Sequence, residues 1–467
     1  MPVRASLTIS CLFWLCISWS GPVTPSGLCA DKPLNVLFIP IDDMNHWVGH
    51  LGVHPQTRTP NIDRLAASGV SFDRAYCAAP ACNPSRIALM SGLRPSTSGC
   101  YDNGQDWRPY VTTDKLLNTL FLKSGYHVFG AGKIYHGSYG NTQEWTNFFD
   151  KAGGGNLRRH PSAPDDGVDG IKFSPLAGND EDMPDYRNVS YGIEQLQKKH
   201  DKPFFLAIGL VKPHLPFSVP KKWFDMFPLE SITLPPHIEN DLEDVPAAGI
   251  RMAKPDGDHA RILASGRWKE AVQAYLATIA FADSQVGRLI DALEKSAYAD
   301  NTIVCLWSDH GWSLGEKEHW RKFALWEEPT RIVYIWKVPG LTPAGVQCAR
   351  PVDAMSIYPT LCALTGITQP VHVEGQDIST LLKNPSADWT APALTTFHKE
   401  NHSFRSEDWR YIRYADGSEE LYNHTSDPNE WKNLAAEARY AEIKASFAPH
   451  FPQVNADELP SVVGNKK

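Results

Sequence analysis

At 467 residues the chain is too long for one small core, and the length allows two or three domains or one large α/β domain with an appendage. Hydrophobic residues at 42% and charged residues at 21% are ordinary for a globular protein. A formal net charge of -8 without basic runs leaves no electrostatic footprint for nucleic acid, so that partner class is excluded.

In chain order, Arg4 and the apolar stretch at 7–19 come first. The stretch is too short to span a bilayer comfortably, and it predicts a signal peptide over residues 1–30, with an uncleaved anchor as the alternative. Export to a secreted, periplasmic or lysosome-like compartment follows, and no later segment reaches transmembrane length. Outside that region lie Cys77, Cys82, Cys100, Cys305, Cys348 and Cys362, too sparse for a disulfide scaffold. Asn188, Asn401 and Asn423 head glycosylation sequons.

The run NVLFIPI (35–41) is near-continuously apolar, as a strand buried on both faces must be, and it ends on Asp42 and Asp43. Similar runs stand at 127–132, 203–211 and 301–309, separated by helical patterns such as 59–69 and 271–296. Strands alternating with helices predict a large, mostly parallel sheet flanked by helices. Ligands of such sheets bind beyond the carboxyl ends of the strands. Lys133 with His136, His214, and Asp309 with His310 all follow these runs, so four strands point to one rim. From about residue 391 the pattern shortens to 393–400, 409–416 and 419–425, then a helical tail. This predicts a main domain over 31–390 and a small C-terminal α+β subdomain with an antiparallel sheet over 391–467.

Adjacent carboxylates at Asp42 and Asp43 repel unless a cation or several hydrogen bonds lie between them. Carboxylate oxygens suit calcium or magnesium, and Asp309 could complete the set; helix-capping or loop aspartates are the alternative. His310 either ligates the ion or borders it. The segment CNPSRIALMSG (82–92) carries the grammar of a helix start, with Pro84 as the first helical position and Gly92 as the exit. Cys82 then sits at a helix N-terminus, where free amide hydrogens favour an anion, and Arg86 adds a fixed charge. A buried or disulfide-bonded cysteine is the alternative.

His46, His50 and His54 have i,i+4 spacing, but Gly49, Gly52 and Pro55 argue against the helix that would align them on zinc. FGAGK (129–133) imitates a phosphate loop without its first glycine or its Ser/Thr. Trp107, Trp312, Trp320 and Trp326 either stack on a sugar ring or pack in the core. Arg108 either pairs with a substrate carboxylate or makes a structural salt bridge.

CNPSR matches the signature of the type I, formylglycine-dependent sulfatases, in which the cysteine is oxidised to formylglycine before folding is complete. PIDDM (40–44), TPNIDRLAASGVSFDRAYCAAPACNPSR (59–86) and ELYNHTSDPNEWKNLA (420–435) resemble further motifs of that family, in the same order and spacing. Met90 and Ser91 depart from it, where Leu-Thr is more usual. GCYDNGQDWR, GAGKIYHG, LVKPHLPF and SDHGWSLGEKEHWRKFALWEEPTRI place the resemblance in the iduronate-2-sulfatase branch.

The resemblance implies an alkaline-phosphatase-like fold and hydrolysis of sulfate esters of a uronic-acid-containing glycan. It implies one calcium ion held by Asp42, Asp43, Asp309, His310 and an oxygen of modified Cys82. Arg86, Lys133, His136, His214 and Lys322 carry over as catalytic or sulfate-binding positions. A formylglycine-generating or equivalent maturase is implied as a partner during biosynthesis. Two rivals stand beside this reading: a phosphonate monoester or phosphodiester hydrolase of the same superfamily, and a catalytically silent, calcium-stabilised glycan-binding protein.

Overall fold

A computed structural model describes Met1 and residues 33–137, 140–153 and 157–462. The expected signal peptide lies outside the described residues, Met1 apart. Eight strands form the central sheet: β1 (Asn35–Ile41), β2 (Val70–Phe72), β3 (His127–Gly132), β4 (Asn147–Phe149), β5 (Phe204–Gly209), β6 (Thr302–Ser308), β7 (Tyr334–Lys337) and β8 (Val346–Cys348). Their spatial order is β8-β2-β7-β6-β1-β5-β3-β4. Every neighbouring pair is parallel except the two that involve β7, which is antiparallel to β6 and to β2.

The alternation of side chains across the pleat explains why the central strands are apolar throughout. Leu37, Ile39, Leu206, Ile208, Val304 and Leu306 enter the core on one face. Val36, Phe38, Phe205, Ala207, Ile303 and Cys305 enter the core on the other. Each such side chain contributes about 1.5–3 kcal/mol by leaving water. Helices α1 (Pro60–Ala67), α3 (Pro184–Gln197) and α4 (Trp268–Glu294) give residues to the first core. Helices α2 (Cys82–Ser91) and α5 (Ile357–Thr365) give residues to the second. Among the described residues no helix is long and apolar enough to cross a membrane.

Four antiparallel strands follow in order: β9 (Ala393–Thr396), β10 (His402–Arg405), β11 (Trp409–Arg413) and β12 (Glu419–Asn423). Three fall on the expected segments. The fourth, β10, is fully buried yet carries His, Ser and Arg, so no apolar alternation marks it. The expected helical tail is shorter than its pattern, reduced to Ala441–Ser446 with flanking 3-10 turns. The described residues from 33 to 462 form one compact unit, and a buried charge network binds this sheet to the loop after the main domain's sixth strand.

Arg410, 1% exposed, bridges Glu327 and Glu430 and donates to the Leu325 carbonyl at 3.0 Å. His424 Nε2 lies 2.8 Å from Glu430. Removing one member of such a network strands the others as buried charges. Arg410→Ala is therefore expected to lower stability by about 3–5 kcal/mol in urea unfolding. A loss under about 1 kcal/mol would show that the network does not anchor the sheet.

Candidate active site

The four central strands β6, β1, β5 and β3 are consecutive in the sheet, and their carboxyl ends converge. Asp42 and Asp43 leave β1, Asp309 and His310 leave β6, Lys133 and His136 follow β3, and His214 follows β5. Two further elements close the site: the N-terminus of α2, which carries Cys82 and Arg86, and a short hairpin (Ser313–Leu314 with Trp320–Arg321) followed by Lys322. Helix α2 begins at Cys82 itself, two residues before Pro84, because the Ser85 amide already bonds to the Ala81 carbonyl at 3.0 Å. Gly92 ends it at φ 73°, as expected of the exit residue.

Cys82 is fully buried and its sulfur is surrounded by polar groups. Lys322 Nζ lies at 3.0 Å, His310 Nε2 at 3.3 Å, Asp43 Oδ1 at 3.6 Å and Lys133 Nζ at 3.7 Å. His136 and His214 also interact with it. Burial alone would raise this thiol, but Lys322, Lys133 and His310 outweigh it and hold it well below the usual thiol range. The pocket thus stabilises negative charge at the position of the Cys82 sulfur.

Arg86, also fully buried, braces the site from beneath. Its Nε donates to Asp309 Oδ2 at 2.8 Å and Nη2 to Asp42 Oδ1 at 2.9 Å, while Nη1 reaches the Lys133 carbonyl at 2.6 Å. Lys133 also bonds to Asp42 Oδ2, and Lys322 donates to Asp43 Oδ1 at 2.6 Å. Burial would raise the Asp42 carboxyl; Lys133, with His214 and Arg86, holds it well below the carboxylate range. Asp309 is pushed up to about 6 by burial, against Arg86 and His310. Burial opposes the charged form of His214, yet Asp43 and Asp42 raise it, which favours its acid form.

Asp42, Asp43, Cys82, Asp309 and His310 each offer a ligand atom, all within 4.8 Å of one another. Asp43 Oδ2 is buried and accepts no hydrogen bond, with His214 Nε2 3.8 Å away and beyond hydrogen-bond reach, an arrangement that a metal ion facing the oxygen would relieve. Three carboxylates are a hard donor set, so the residues fit a divalent ion of the calcium or magnesium type. Glu327, His424 and Glu430 also cluster, but Arg410 already supplies their positive charge.

Several contributors escape sequence reasoning. Asp43 has φ 59°, a conformation uncommon outside glycine, and its carbonyl accepts from Tyr275 Oη at 2.8 Å. Tyr275 sits in the middle of α4, where nothing local distinguishes it from a core residue. Asp185 in α3 takes the amides of Val211 and Lys212 at 2.9 Å each and so positions the His214 loop. Within the motif itself, Asn83 donates to the carbonyls of Asp102 and Gln105, and Ser85 Oγ to that of Asp309 at 2.5 Å.

Other residues resolve to structural roles. Trp107, Trp312, Trp320 and Trp326 are at most 3% exposed, so they pack in the core rather than present a sugar platform. Arg108 pairs with Glu144 and stacks 4.1 Å from the Trp107 ring centroid. His46, His50 and His54 diverge to Glu328, Asp63 and the Thr233 carbonyl. All six described cysteines are free and buried, and the sequon asparagines Asn188 and Asn401 are buried too.

Comparison with known proteins gives the family of the chain. The sulfatase family model matches residues 34–367, and a model of the N-sulphoglucosamine sulphohydrolase C-terminal region matches 315–457. A protein described as a sulfatase from Formosa agariphila is 39% identical over 91% of this chain and 87% of its own length. Iduronate 2-sulfatase of Mus musculus is 28% identical over 96% of this chain and 99% of its own. The crystal structure of a phosphonate monoester hydrolase of Agrobacterium radiobacter superposes with a TM-score of 0.70 at 21% identity, covering 89% of this chain and 94% of that one. The fold is alkaline-phosphatase-like, and fold alone does not separate the two chemistries. The sulfatase model and the relatives cover most of the chain, so this protein belongs to the sulfatase family, on its iduronate-2-sulfatase-like side, and is a sulfuric ester hydrolase.

Proposed function

We propose that the protein is an exported enzyme that removes sulfate from a uronic-acid-containing glycan, with formylglycine made from Cys82 and one calcium ion. The observation that carries this reading is the enclosure of the Cys82 sulfur by two lysines, three histidines and three carboxylates at the rim of the sheet. Export is supported by the apolar stretch at 7–19, and conversion by the CNPSR motif with a maturase acting on it. The iduronate-2-sulfatase likeness supports the substrate class.

Formylglycine would supply two hydroxyls as its hydrate, one to displace the alcohol from sulfur and the other to let the sulfate go. Calcium at Asp42, Asp43, Asp309 and His310 would supply Lewis acidity and fixed positive charge. Lys133 and Lys322 stabilise the negative charge that develops on the sulfate oxygens, each from within 3.7 Å of the Cys82 sulfur position. Arg86 holds Asp42 and Asp309 at fixed separation, and its own charge adds to the same field. His214, whose acid form Asp43 and Asp42 favour, protonates the departing alcohol with Lys322. His136 is placed to accept a proton from the second hydroxyl that such a hydrate would offer, the chemistry by which sulfate would be released.

One preparation of exported protein tests the proposal. A peptide spanning Cys82 is expected to carry the aldehyde mass, and turnover of a sulfate monoester is expected to exceed that of the matching phosphonate ester. A peptide carrying only the thiol would overturn the mechanism. Dominant phosphonate turnover would move the protein to the rival chemistry, and glycan binding without turnover would make it a silent binding protein.

A further inference from the structure

A cavity of about 530 Å³ opens beside Lys322. One wall is the segment from Arg251 to Asp258 with Arg261; 319–321 with Phe323 form another, and Phe397, His398 and Asp102 complete the lining, so that four Arg and Lys side chains face two carboxylates, Asp102 and Asp258. It adjoins the chemistry directly. Phe323 follows Lys322, its amide donates to the Pro80 carbonyl at 3.0 Å, and its ring centroid lies 5.8 Å from Lys322 Nζ.

Two features distinguish this cavity from a packing defect. Ten non-glycine residues among those described have positive φ, and four of them line it: Lys254 (51°), Arg321 (80°), Phe323 (79°) and His398 (56°). Such conformations are costly for residues with a Cβ and collect at ligand sites. The second feature is an excess of positive charge. Asp258 is engaged by both Arg261, at 2.6 Å, and Arg321. Arg251 reaches only Asp416, at 3.4 Å, and Lys254 is exposed with no ion pair among the described residues. Phe323, backed by the buried Phe397 with ring centroids 6.0 Å apart, supplies an apolar wall of the kind that takes the face of a sugar.

We propose that this cavity is the subsite for the sugar adjoining the one that bears the scissile sulfate. Lys254 and Arg251 take an anionic group of that sugar, and the Phe323–Phe397 wall takes its apolar face. The anion is a carboxylate or a second sulfate. This assignment rests on the hydrolase reading above and extends it to a substrate of at least two sugars.

Calorimetric binding to the full chain carrying Cys82→Ala separates the two claims, because it needs no turnover. A sulfated, uronate-containing tetrasaccharide is expected to bind at least tenfold more tightly than the corresponding sulfated monosaccharide. Lys254→Asn, which removes the charge but tolerates positive φ, combined with Arg251→Gln, is expected to abolish most of that advantage. Carboxyl-reduced and partly desulfated tetrasaccharides then identify the anion by which one loses the advantage. An equal affinity for both ligands, an advantage that survives the double substitution, or one that survives both chemical deletions would overturn the subsite. Tight tetrasaccharide binding by a protein whose Cys82 form never turns over sulfate esters would overturn the hydrolase reading and leave the subsite standing.

Discussion

Cys82→Ser is expected to yield a folded protein that releases at most one alcohol per molecule and loses steady-state turnover by roughly 10³-fold or more. Serine is nearly isosteric with cysteine, and its hydroxyl can accept from Lys322 and His310, which lie 3.0 and 3.3 Å from the sulfur in the parent chain. The core around position 82 therefore loses little packing. What serine lacks is the second hydroxyl of a hydrated aldehyde, so a sulfate ester formed on it has no internal route of release. A burst assay with quantified active protein checks this, alongside thermal melting to confirm the fold. Sustained turnover by this variant would remove the formylglycine argument entirely.

Lys322→Met is expected to lower kcat by about 10²–10³-fold, the loss seen when a preorganised group facing developing charge is removed. Lys322 is 5% exposed, and its ammonium spans Asp43 Oδ1 at 2.6 Å and the Cys82 sulfur at 3.0 Å. Methionine keeps the buried apolar stem while deleting the charge, so the comparison isolates electrostatics from packing. Because the charge it opposes grows as the S–O bond breaks, the loss should fall on kcat with KM changed little. Lys322→Arg should not rescue, since a planar guanidinium cannot occupy the place of a point charge between those two atoms. A variant that raised KM alone would place Lys322 in substrate binding rather than in the reaction.

The sequence alone establishes the parts of this protein that depend on local periodicity. The strand at 35–41 is apolar because both of its faces are covered, and the helix at 82–91 ends at Gly92 because that position needs positive φ. Both properties are written in consecutive residues. The placement of Asp42, Lys133, His214 and Asp309 follows as well, since each stands at the end of such a run and the sheet topology does the rest. The strand at 402–405 is illegible for the converse reason: its burial comes from the neighbouring strands and the charge network, not from its own polar residues.

Only the tertiary structure decides what each polar group meets. Lys322 is 240 positions from Cys82, and Tyr275 is 232 from Asp43. No spacing rule links such residues. Arg108 and the four tryptophans are equally consistent in sequence with binding a sugar, until Glu144 and the surrounding core claim them. A buried charge must find its partner wherever the fold brings one, because leaving it unpaired costs several kcal/mol. That requirement acts through space, so the candidate residues can be named from the chain, while their partners emerge only once the sheet has closed around them.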